Sequence, residues 1–355
     1  MSEYQHKNNK SSIPYSSDDA DSYTYVDGKG FTPSPPIITE RRLLQWSSNG
    51  IGFAIIFYII FSLTLPNTAV SVIKLFNPYL RITEEGFIAN PIISQIAEIL
   101  VGNISLLLPF AFLIFIHKAP TNKILPFKHF QSSITVPALF IAMGTSVIGA
   151  VSSVALSIFM SLFGYMPIMG NFEMPQNAVA AALFVLNVAI IAPISEEIVF
   201  RGAIMNILRR FGDCFALLIS SLLFSLVHMN LVQIPNAFLM GLVIGYFTLC
   251  TGSLWTGICI HCLNNSLVLL VNGILELVPP EFHNLITLII YIGYLTAGII
   301  AFLFLLRRHP NIFFFHRSAT LSTEKKKYSA FFSALTMTAC IVILFIFTIN
   351  NIVKI

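Results

Sequence analysis

From residue 43 onward the chain alternates between long apolar runs and short polar breaks. Nine runs are long enough to read as membrane helices, at about 43–65, 91–116, 134–163, 178–210, 213–230, 234–250, 253–273, 284–306 and 328–350. A hydrocarbon core takes roughly 20 apolar residues per helix. The fourth run continues past its apolar part, so its helix is expected to outreach the bilayer. The sixth is short and is expected to lie tilted or partly submerged. The pattern predicts an all-α fold, a polytopic membrane helical bundle of eight to nine spans. Residues 1–42 break the pattern. They are polar and turn-rich, with an acidic run from Ser16 to Asp21, prolines at 33, 35 and 36, and no apolar stretch resembling a signal peptide. They read as a disordered polar tail, which leaves 43–355 as the transmembrane domain.

Composition agrees with the pattern. Apolar residues make up 56% of the chain and charged residues 10%, where soluble domains carry about a quarter of charged residues. Mean hydropathy is +0.81. The net charge of +4 matters less than its placement. With nine spans and a cytosolic N-terminus, 16 Lys and Arg fall on the cytosolic side and 3 (Lys74, Arg81, Lys354) on the other, leaving aside the intrahelical Arg201. The expected surroundings are therefore a lipid bilayer, and no nucleic-acid partner is expected. All five cysteines lie in apolar segments, where a thiol is an ordinary small hydrophobe. No disulfide is expected.

Ionisable groups at bilayer depth are costly and tend to mark function. Six fall inside the spans: Glu98, Glu196, Glu197, Arg201, His228 and His261. Five of them share the window 196–261. Glu197 and Arg201 are four apart and can pair on one helix face. Glu196 is rotated by about 100° from Glu197 and is the less compensated carboxylate, hence the better general-base candidate. Pro193 just before them is expected to kink the helix. The same residues also suit a buried ion-pair cluster that fixes packing. His228 reads either as a satisfied histidine near a helix end or as a catalytic one. His261 and Asn265 are four apart on one face, suited to an oxyanion or to interhelical polar contacts.

Hairpin arithmetic brings the pieces together. Phe211-Gly212-Asp213 reads as a turn, with Glu196 and His228 each about 24 Å from it along antiparallel helices. Thr251-Gly252-Ser253 reads as a second turn, with Asn265 roughly 20 Å above it. Gly241 and Gly245 form a small-xxx-small pair that lets their helix approach a neighbour closely.

The ordered set Glu-Glu-x-x-x-Arg at 196–201, Phe-x-x-x-His at 224–228 and His-x-x-x-Asn at 261–265 resembles the CAAX-protease and bacteriocin-processing family, also called the Abi family, which includes the type II CAAX prenyl endopeptidases. Phe200-Arg201-Gly202, Gly241 to Gly245 and Thr251 to Trp255 extend the likeness over roughly 178–270. The resemblance implies a catalytic core at about 178–273. In it Glu196 activates water with help from His228, His261 and Asn265 stabilise the oxyanion, and Glu197 and Arg201 support the site. No His-Glu-x-x-His motif is present, so the expected mechanism needs no metal. The alternative is zinc held by Glu196, His228 and His261. The function expected is an intramembrane endopeptidase acting on a membrane-associated or lipidated peptide or protein. The alternatives are a non-catalytic scaffold or immunity protein of the same fold, and a proton-coupled secondary transporter.

Overall fold

A computed structural model describes residues 23–26, 30–33, 36–83, 86, 88–118, 120–167, 174–313 and 320–354. Of the expected tail at 1–42, residues 1–22, 27–29 and 34–35 lie outside the described residues. Strands β1 (Tyr23–Val26) and β2 (Gly30–Pro33) form a small antiparallel pair. Helix α1 (Pro36–Phe76) follows, starting earlier and ending later than the expected 43–65. Pro66 lies inside it. A proline deletes one hydrogen bond, and the apolar sequence on both sides carries the helix through.

Helix α2 (Pro91–Ile116) has the expected bounds. Asn90 caps it by accepting from the backbone of Ile92 and Ile93, and Pro91 needs no donor in the first turn. A short α3 (Thr121–Ile124) leads to α4 (Ser132–Ser161) and strand β3 (Tyr165–Pro167). Next come α5 (Ala178–Phe211), α6 (Asp213–Leu226), α7 (Gln233–Thr251), α8 (Leu254–Glu276) and α9 (Pro280–Arg308). Helices α10 (Glu324–Phe332) and α11 (Leu335–Asn350) and strand β4 (Ile352–Lys354) complete the chain.

All nine apolar runs form helices. By length and composition, seven of the described helices can cross a membrane, and the α10–α11 pair makes an eighth if counted as one span. The expected fifth span is corrected: α6 has 14 residues and stops at Leu226. The expected ninth breaks, since α10 and α11 meet at 75°. The charged Glu324-Lys-Lys-Lys run keeps α10 out of line with its apolar continuation. At the break, Asn49 of α1 accepts from the Thr336 backbone N–H and also engages its hydroxyl, satisfying donors a new helix start leaves open.

Two ends of the bundle are chemically distinct. At one end Arg210 donates to Ser47, Lys327 to the Phe211 carbonyl, Ser253 to the Lys128 carbonyl and Asn206 to the Ile124 carbonyl. These contacts gather the basic turns onto one face. At the other end β3 pairs antiparallel with β4. The largest apolar cluster joins α1, α2, α5, α6, α10 and α11. A second joins α4, α7, α8 and α9. Helices α4 and α9 meet at Gly144 and Gly298, where an added Cβ would stand 3.1–3.3 Å from the facing backbone.

Candidate active site

Helix α5 is not a uniform α-helix. Wide turns at Asn187–Ile191 and Ile198–Met205 flank the regular segment Ala192–Glu197. The first has a local cause. In a regular helix the ring of Pro193 would collide with the carbonyl of residue 189. The chain widens there, and the Ala192 N–H reaches back five residues to the Asn187 carbonyl. The next carbonyl, that of Val188, has Pro193 as its five-back partner, and proline has no N–H. Asn265 of α8 supplies the donor instead, from Nδ2 at 3.0 Å. The expected kink is thus a widened turn, of a kind frequent at functional sites.

The two glutamates that follow are in different surroundings. Glu197 is fully buried, and its Oε1 accepts from Arg201 at 2.7 Å and from His261 Nδ1 at 2.8 Å. Arg201, 1% exposed, also donates to the Gly241 carbonyl at 3.2 Å and lies 4.5 Å from the centre of the Phe224 ring. Removing one member of such a buried pair costs about 3–5 kcal/mol, because the other charge is stranded. The Glu196 side chain is 28% exposed, and its Oε2 stands 3.6 Å from His261 Nε2.

The hydrogen bonds assign the histidine tautomers. A carboxylate accepts, so His261 Nδ1 carries the hydrogen toward Glu197 and, in the neutral ring, turns a lone pair at Nε2 toward Glu196. His228 Nδ1 lies 2.8 Å from the Phe224 carbonyl. Carbonyls also only accept, so the neutral His228 ring has its lone pair at Nε2.

Helices α5 and α6 are in the register that the turn arithmetic implies. Phe200 and Phe224 stand symmetrically about Gly212, and their rings meet edge-on at 5.2 Å. Ser220 donates to the Phe200 carbonyl at 2.7 Å. Glu196 and His228 each lie one turn further. Phe224 packs edge-on against both His228 and His261, at 5.1 and 5.6 Å. It is therefore the shared wall of the site, although the sequence marked it only as a motif letter.

The small-xxx-small pair on α7 serves this cluster. A Cβ on Gly241 would stand 3.0 Å from Ser221, and one on Gly245 2.5 Å from Leu217. Both partners are on α6. Gly257 of α8 is a third close approach that sequence reasoning passed over: its Cβ would meet Thr248 Oγ1 at 2.6 Å and Glu197 Oε2 at 3.0 Å. Also missed was Ser195, which donates to Asn103 of α2, and Tyr58 of α1, which lies within electrostatic reach of Glu196. Ser195 directly precedes Glu196, but its partner Asn103 and Tyr58 are both far from the motifs in sequence.

The expected residues come together unequally. Glu196, Glu197, Arg201 and His261 form a connected polar network. Asn265 joins the same helix through Val188 and accepts from Asn264 at 3.3 Å. His228 reaches His261 through the Phe224 ring. As a test of the zinc alternative, Glu196 and His261 offer two facing donors, but among the described residues no group of three His, Cys, Asp or Glu side chains converges to hold an ion. The five cysteines are free.

Comparison with known families meets this geometry at the same residues. Residues 178–267 match the family model described as Type II CAAX prenyl endopeptidase Rce1-like. All six site residues lie within that stretch. No curated protein and no solved structure matches the chain. The chain is a multi-pass membrane protein, and its residues 178–267 are similar to a CAAX-type intramembrane protease family.

Proposed function

We propose that this protein is an endopeptidase that hydrolyses a peptide bond of a membrane-associated or lipidated peptide or protein, using water activated by Glu196 without a metal. The observation that carries the reading is the division between the two glutamates. Glu197 is neutralised by Arg201 and spends an oxygen on His261, whereas Glu196 is accessible and faces the His261 lone pair. A water between Glu196 Oε2 and His261 Nε2 donates one hydrogen to each. Glu196 takes a proton as the water oxygen attacks the scissile carbonyl, and later passes it to the leaving amine. Both hydrogens of the water are then committed, and His228 borders the site across the Phe224 ring.

The oxyanion needs donors held in place before the reaction. Asn265 has two amide hydrogens and commits one to Val188. The other is the proposed oxyanion donor. Phe224 and the Arg201–Glu197 pair hold both histidines against drift.

The matched family description motivates prenylated peptides as the first probes. Purified protein in lipid nanodiscs is incubated with an internally quenched farnesylated C-terminal peptide and its unprenylated counterpart. The wild type is expected to cleave at an internal peptide bond and Glu196→Gln to be inactive while folded. Equal cleavage by a folded Glu196→Gln protein overturns the assignment. A wild type that binds the probes without cleaving them supports the scaffold reading instead.

A further inference from the structure

The far end of the chain reaches the turn that carries His228. Asn351, which directly follows α11, donates from Nδ2 to the Met229 carbonyl at 2.8 Å. Met229 immediately follows His228, and with φ of 50° it is one of two non-glycine residues of positive φ among the described residues. A left-handed residue just past a helix end is the usual place of glycine, because a side chain crowds the backbone there. Met229 occupies it nonetheless, with its side chain packed against the main apolar cluster.

The turn is fastened on several sides. Its Met229 N–H bonds the Leu226 carbonyl at 3.0 Å, which closes α6. Beyond it, Asn230 Oδ1 accepts from the backbone of Val232 and Gln233 at 3.1 and 3.3 Å, which opens α7. Asn351 supplies the lateral tie. It is itself held, because the next three residues form β4, paired with Tyr165–Pro167. Asn351 and Met229 are 122 residues apart, and Asn351 is outside the family-matched segment.

We infer that Asn351 is a positioning residue for His228, its amide holding the Met229 carbonyl and with it the left-handed turn that sets the His228 ring against Phe224. The inference rests on the peptidase reading above for its functional meaning. Without the tie, Met229 gains by returning to negative φ. That rotates its carbonyl away and moves the adjoining His228 backbone.

Glycine at 229 gives a selective test, since glycine keeps positive φ without a tie. Asn351→Ala, Asn351→Asp, Met229→Gly and Asn351→Ala/Met229→Gly are compared with wild type. An aspartate at 351 has the right size but cannot donate to a carbonyl. Cleavage of the farnesylated probe is read as separate kcat and KM, and hydrogen exchange is read over 227–232. Asn351→Ala and Asn351→Asp are expected to lose roughly tenfold or more in kcat, with KM within about twofold, as misplacement of a reacting group does. Exchange over 227–232 should quicken. The double variant should recover most of the kcat of Met229→Gly. Wild-type kcat and exchange in Asn351→Ala overturn the inference. So does a double variant no better than Asn351→Ala, which would make Asn351 an anchor for the chain end. If the wild type cleaves no probe, the peptidase reading falls, and exchange over 227–232 alone decides whether Asn351 holds the turn.

Discussion

Asn265 donates to the carbonyl of Val188 at 3.0 Å, the carbonyl that Pro193 leaves without an intrahelical donor. A backbone defect in one helix thus orients a side chain on another. Restoring a donor at 193 should release it. Pro193→Ala is expected to keep or raise thermal stability, because a proline is removed from a helix interior. It should lower kcat by about tenfold, since Asn265 no longer has a fixed orientation. Thermal melts beside probe kinetics check both; undiminished kcat would separate Asn265 from the chemistry.

The two glutamates should fail in different ways. Glu197→Gln strands Arg201, which is 1% exposed, and is expected to cost about 3–5 kcal/mol of stability. Glu196→Gln, at a partly exposed carboxylate, should melt near wild type. Melting in detergent of both variants distinguishes them; a Glu197→Gln protein as stable as wild type would show that the pair carries no structural strain.

Gly257→Ala places a methyl 2.6 Å from Thr248 Oγ1 and 3.0 Å from Glu197 Oε2. Overpacking of this kind costs about 1–3 kcal/mol. Gly273 has nothing within 4 Å of its added Cβ, so Gly273→Ala on the same helix is the control and should melt at or slightly above wild type. Equal melting of the two alanine variants would contradict the close approach at 257.

At the basic end of α2, His117 packs 4.0 Å from Trp46, and burial, with the nearby Arg210 charge, pushes its pKa down to about 4. Its ordinary value is near 6.5. The unfolded chain therefore binds the proton first on acidification. Above about 6.5 both states are neutral and the histidine has no pH effect. As pH falls from there to about 4, stability is lost. Melting between pH 7.5 and 4.5 should show a decline that His117→Phe reduces; an unchanged slope would place the titration elsewhere.

Orientation is testable without any substrate. The gathered basic turns lead us to expect the end bearing Arg209, Arg210, Arg307 and Arg308 in the cytosol. Single cysteines at Met174 and Asn311, in a background lacking the native five, are offered an impermeant thiol reagent on intact cells. Label at 174 and none at 311 is expected. The reverse pattern would turn the bundle over, and with it the side from which a substrate comes.

Apolar length made most helices legible. The uninterrupted apolar run gave α2 its bounds, and the Glu197–Arg201 pair followed from a spacing of four. The wide turn at Ile198–Met205 was not legible, because nothing in Ile-Val-Phe-Arg-Gly-Ala-Ile-Met departs from an ordinary helix. Packing against α6, through Ser220 and Phe224, is what that stretch answers to. The Asn103–Ser195 and Asn351–Met229 contacts join residues 92 and 122 apart, with no local pattern to announce them. The break at 333–334 was hidden by an apolar run that continues through it.

Helix α6, with 14 residues, rises about 21 Å, where the hydrocarbon is about 30 Å thick. With α6 starting at the membrane surface, the peptide groups of 227–232 fall short of the far interface, at a depth where lipid cannot solvate them. Such backbone is tolerated only inside protein or beside water. The short helix thus obliges either a locally thinned bilayer or a wet cleft above His228, and for the proposed peptidase both bring the water that hydrolysis consumes toward the site. For the proposed peptidase, lipid chain length would then control turnover: longer acyl chains deepen the cleft that water must fill, and shorter ones bring bulk solvent to the Glu196 carboxylate.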